Sequence, residues 1–146
     1  MLRAIAGILG GFLLGLLGLT AIAYAGGSLY PIPVDPHILN PVEQAQAALP
    51  NAPVPALLFI ALSWFVGGLL AGVVAKAISG SARVCWVTVG LLTLLCVVNI
   101  FFAPFPVWMQ IASLAAPLIG GLIANHLIRE RATPAAVVAA EIPAED

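Results

Sequence analysis

The stretch YPIPVDPHILNP, residues 30–41, sets Asp35 two positions before His37, with Glu43 shortly after. Carboxylate and imidazole groups that close could give a divalent metal two or three ligands, but a usable site wants three or four and partners that orient them. Solvated loops carry the same residues with no ligand at all, so Asp35 and His37 stand as candidate loop ligands only, and no metal or other cofactor is expected. Cys85 and Cys96 are the two cysteines. On one helix they would be about 16 Å apart along the axis, whereas a disulfide needs alpha-carbons within about 7 Å. Neither belongs to a Cys-x-x-Cys pair, so thiol redox chemistry has no support and packing is the expected role.

Proton and ion transport commonly keeps an ionisable group inside the membrane. No such group interrupts the middle of any long apolar run in this sequence. The most polar candidate there is Asn99, in VVNIFFAPFPVW. It could line a path for a solute, or hold two helices together through a hydrogen bond worth about 1 kcal/mol; the second role is favoured.

These residues must be positioned by apolar elements. With 62% hydrophobic and 8% charged residues and a mean hydropathy of +1.14, the chain is far from a soluble domain, in which about a quarter of residues are charged. Apolar runs over residues 4–25, 55–78, 84–103 and 107–128 each approach the roughly 20 residues that a helix needs to cross a bilayer. Their continuity argues for helices over barrel strands. The expected fold is an all-α membrane protein with four transmembrane helices in an up-down bundle.

Four spans put Arg3, Lys76, Arg83, Arg129 and Arg131 on one side, while the loop over residues 26–54 has neither Lys nor Arg. The positive-inside rule then predicts both termini in the cytoplasm and a cytoplasmic-membrane location. A cleaved signal peptide is the competing reading of residues 1–25, with AIA and AYA as small-residue triplets. The long apolar part and its spaced glycines favour a retained first helix.

Gly7, Gly11 and Gly15 recur every fourth residue and share one face of the first span. Small residues on one face let two backbones approach, the usual route to tight helix contact in lipid. Similar stripes run through Ser63, Gly67, Ala71 and Ala75 in the second span and Ala112, Ala116, Gly120 and Ala124 in the fourth. The third span lacks one and is expected to face lipid, so a change at Leu92 should matter less than one at Gly11 or Gly67. When Pro53 is laid on Pro106, VGGLLAG falls on IGGLIAN and Lys76 on Arg129. Two readings stand: a pair of repeated, same-topology helical hairpins, or a chance match between compositions rich in Gly, Leu and Ala. Pro117 removes the hydrogen bond to the Ser113 carbonyl, to which the Ser113 hydroxyl could return a donor.

In the loop, Asn40 suits a helix cap, Pro41 the first helical position and Glu43 the third, predicting a short helix over residues 41–49 that lays Val42, Ala45 and Leu49 on the helix ends or the lipid surface. The prolines hold the rest extended, as a structural lid. Residues 1–131 thus form the membrane domain, and residues 132–146, with little apolar bulk, a flexible cytoplasmic tail. Tyr24, Tyr30 and Trp108 mark one membrane boundary and Trp86 the other, with Trp64 deeper.

LYPIP after the first span, ALSWFVGGLLAG in the second and NIFFAPFPVW between the third and fourth resemble a group of small bacterial four-helix membrane proteins of uncharacterised function, over residues 3–128. The resemblance implies a Glu and a His before the Tyr-Pro pair and a His in the later loop; Ala23, Gly27 and Phe105 stand there instead. Asn99 and Trp108 fit the pattern. Small multidrug transporters share the length but need a membrane carboxylate, and fluoride channels have dual topology. The expected role is a non-enzymatic structural or interaction subunit, with the lipid bilayer and a membrane-protein partner or a second copy as partners and no nucleic acid. A passive channel or carrier for a small neutral or apolar solute is the alternative.

Overall fold

The computed structural model of the chain describes residues 1–32, 37, 38, 40–102 and 105–128. They form helices α1 (Leu2–Leu29), α2 (Pro41–Ala48), α3 (Val54–Ser79), α4 (Ala82–Phe102) and α5 (Val107–Leu127), with a 3-10 turn at Leu49–Asn51. Four of them, α1, α3, α4 and α5, are long and apolar enough to cross a membrane. Asp35 and the tail over residues 132–146 lie outside the described residues.

Local chemistry sets the ends. α1 runs past the expected stop at Ala25 because Gly26 and Gly27 do not break it: the Gly26 backbone lies against Phe59 and Ser28 returns its hydroxyl to the Tyr24 carbonyl at 2.9 Å. It stops at Tyr30, which leaves the helical region at φ −130° because it precedes Pro31. α3 starts after Pro53 with a proline in its first turn and ends on Gly80, the one described residue with left-handed backbone, at φ 71°. Such a glycine cap carries no Cβ penalty.

In the loop, the Gln44 amide bonds the Asn40 carbonyl at 2.9 Å and the Asn40 amide donates to Glu43 Oε1 at 3.4 Å, so α2 begins at the predicted cap. α2 gives way to the 3-10 turn one residue earlier than expected, and Ala48 and Leu49 are buried. Leu49 joins Leu57, Trp64, Cys96, Phe105 and Met109 in one apolar cluster, with the Trp64 and Phe105 rings edge-on at 5.8 Å. The side chains of Val42 and Ala45 lie outside the described residues. Leu49→Ala should cost about 2 kcal/mol and speed amide hydrogen exchange across residues 44–52; unchanged exchange would show that Leu49 does not hold the loop down.

α3 lies at the centre, against α1, α4 and α5. Gly7, Gly11 and Gly15 on α1 meet Ala75, Ala71 and Gly67 in descending order, so these two helices are antiparallel. Gly68 meets Pro117 and Gly72 meets Ala124, so α3 and α5 are parallel. The two hairpins do not pack alike. α1 lies on α3 along a glycine stripe, whereas α4 meets α5 where Val89 covers Gly121.

The third span corrects the lipid-facing expectation. Cys85, Thr88, Val89, Leu92, Thr93 and Cys96 are all buried on α4, and the Leu92 methyl caps the space over Gly67. Threonine serves here as a small residue because its hydroxyl bonds its own helix: Thr88 to the Val84 carbonyl and Thr93 to that of Val89, each at 2.8 Å. Pro117 is buried within a continuous α5. The Ser113 hydroxyl donates to the Gln110 carbonyl at 2.7 Å rather than to its own.

Candidate functional site

The built part of this molecule is the seam along α3. A methyl added at Gly7 would stand 2.9 Å from the Ala75 carbonyl oxygen, one at Gly11 2.6 Å from that of Ala71, and one at Gly15 2.9 Å from that of Gly67. The opposite side of α3 is as close: a methyl on Gly120 would stand 2.7 Å from the Leu69 amide nitrogen, and one on Gly72 2.7 Å from the Ala124 methyl. Gly67, Ala71, Gly120 and Ala124 are all buried. In the first half of α5 the buried positions are Met109, Ser113 and Pro117, the last two one residue on from the expected Ala112 and Ala116.

The seam ends on a polar contact that the sequence reading did not assign. Lys76 is only 3% exposed, and its ammonium donates to the Asn125 main-chain oxygen at 2.6 Å and to Asn125 Oδ1 at 2.7 Å. Asn125 lies in the last turn of α5, where carbonyls lack intrahelical donors and the helix dipole is negative. The cation thus closes one helix end with a side chain from another. The signal was present in the sequence: Lys76 follows Gly68 and Gly72 at four-residue steps, so it continues the buried face of α3.

The other polar candidates lie apart. Asn99 is exposed near the end of α4, and Ile100 rather than Asn99 packs toward the apolar cluster. The interhelical role within the chain is therefore not what the geometry gives it; Asn99→Leu should change thermal stability in detergent by less than about 0.5 kcal/mol, and a larger loss would restore that role. His37 and Glu43 are exposed in the loop. Cys85 and Cys96 are free thiols, both buried. Among the described residues no three His, Cys, Asp or Glu side chains come together, and no buried side-chain nitrogen or oxygen lacks a hydrogen-bond partner.

Four apolar spans around a closed seam define a multi-pass membrane protein. No protein-family model matches the chain, and no curated protein or solved structure matches it.

Proposed function

We propose that this protein is a non-enzymatic structural or interaction subunit of the cytoplasmic membrane, with both termini in the cytoplasm. The observation that carries the reading is the seam: backbone meets backbone on two sides of α3, which favours a rigid bundle over a conducting one. The intramembrane hydroxyls of Thr20, Ser63, Thr88, Thr93 and Ser113 are each turned onto a carbonyl of their own helix. They offer no line of polar groups along which a solute could shed its water. Small apolar solutes remain the rival cargo.

Two measurements test it. Purified protein in liposomes should pass glycerol, urea and benzyl alcohol no faster than empty liposomes, and mild solubilisation of native membranes should return it in an assembly larger than the monomer. Saturable flux through a monomer would replace the subunit reading with the carrier. For orientation, cysteine placed at Gln46 should react with an impermeant maleimide in intact cells, and cysteine at Ser81 only after lysis. Cys85 and Cys96 are buried and should add little background. Labelling of Ser81 from outside would reverse the orientation.

A further inference from the structure

A groove of about 330 Å³ opens between α1 and α4, walled by Ile8, Leu9 and Phe12 on one side and Leu91, Leu94 and Val98 on the other. α1 packs on α3 rather than closing on α4, and the groove is what that leaves. Its wall on α4 continues toward the start of that helix: Arg83, Val87, Leu91, Leu94 and Val98 follow at steps of three and four, so they share one face. All five are exposed. Gly90, beside that face, has nothing within 4 Å of where a Cβ would stand, which leaves the surface open between Arg83 and the groove. Trp86, also exposed one turn from the start of α4, belongs at headgroup depth. Arg3 lies at the same end of α1, whose Gly7 abuts Val84.

We propose that this groove holds one acyl chain of an anionic glycerophospholipid whose phosphate is bound by Arg83. The dimensions agree. Leu91 lies about 12 Å along the axis from Arg83, so a phosphate at the guanidinium places the groove near the bilayer midplane, where the chain of a lipid in that leaflet ends. A second copy of the protein is the less suitable occupant. Helices associate in lipid through small residues that let backbones approach, as α1 and α3 do here, whereas this groove is walled by branched and aromatic side chains. A flexible chain fills such a concavity and a rigid helix does not. The guanidinium supplies the charge preference, since a phosphate accepts two parallel hydrogen bonds from it.

Native mass spectrometry of the purified full-length protein in detergent, titrated with phosphatidylglycerol or phosphatidylcholine of the same chains, tests this. The parent should retain one phosphatidylglycerol about fivefold more tightly than phosphatidylcholine, the preference that one basic residue at an anionic surface confers. Arg83→Gln should bring the two lipids level. Leu94→Trp, at an exposed position, should fill the groove and weaken both. Equal binding of the two lipids by the parent, a preference that survives Arg83→Gln, or binding indifferent to Leu94→Trp in a folded protein would each overturn the assignment. So would a dimer of the parent that Leu94→Trp dissociates, which would give the groove to a second copy. The Arg83→Gln comparison decides by itself if Leu94→Trp fails to fold.

Discussion

Gly68→Ala should lower the stability of the bundle by about 1 to 3 kcal/mol, the range for overpacking a close contact, and Gly68→Leu by more. The added methyl would stand 2.6 Å from the Pro117 alpha-carbon and 2.8 Å from its carbonyl carbon, closer than real side chains come. Neither neighbour is the end of a flexible side chain, so the backbones of α3 and α5 must separate. Separation cannot stay local, because Gly120, nearly one turn beyond Pro117, lies against the backbone of the same stretch of α3. Gly90→Ala on α4 is the control: nothing stands within 4 Å, and alanine is the better helix former. Thermal unfolding in detergent followed by the tryptophan signal should separate the two variants clearly. Equal midpoints for Gly68→Ala and the parent would mean that α3 and α5 are not in backbone contact.

Asn125→Leu should destabilise the protein by about 3 kcal/mol and Lys76→Met by about 1, although both break the same contact. The inequality follows from what each change leaves behind. Without the Asn125 side chain the ammonium keeps only the main-chain oxygen, and a buried charge that has lost a partner is costly. Without the ammonium, an uncharged amide remains near the helix end, and the loss is that of ordinary hydrogen bonds. The double variant, with both groups apolar, should therefore be more stable than Asn125→Leu alone, by about 1 to 2 kcal/mol. Chemical denaturation of the three variants gives the comparison. Strict additivity would mean that the Lys76 ammonium reaches water and is not held by Asn125.

The four spans could be read because bilayer crossing demands long uncharged runs, and few other structures tolerate them. The α1 stripe could be read for a similar reason: three glycines at four-residue steps in a lipid-soluble helix have one obvious physical use. The end of α1 is also written in the chain, in Tyr30 before Pro31, whereas the apolar run taken alone ends at Ala25. The buried face of α4 is hard to read from sequence because its small positions are Cys and Thr, and threonine packs as a small residue only once its hydroxyl has turned back onto its own helix. Lys76 marks a membrane side as any basic residue does, and that property masks a second one, its phase with Gly68 and Gly72. Asn99 follows Leu92 by seven residues and shares its phase, which fits the favoured interhelical role, yet it is exposed near the helix end where Ile100 turns inward. The Asp35 half of the loop pair lies outside the described residues.

The central place of α3 imposes an order on synthesis. When α3 has entered the bilayer, α1 is already present, and the face made of Gly67, Ala71 and Ala75 can be covered at once by an antiparallel neighbour. The face made of Trp64, Gly68, Gly72 and Lys76 is covered later and in two steps: α4 brings Cys85 and Val89 to Gly72, and the last helix, parallel to α3, brings Pro117 to Gly68 and Ala124 to Gly72. Until α5 is in place the Lys76 ammonium lacks the two Asn125 oxygens that hold it in the finished bundle. The arrival of α5 supplies both. The last step of biogenesis therefore closes the interior and secures the charge together.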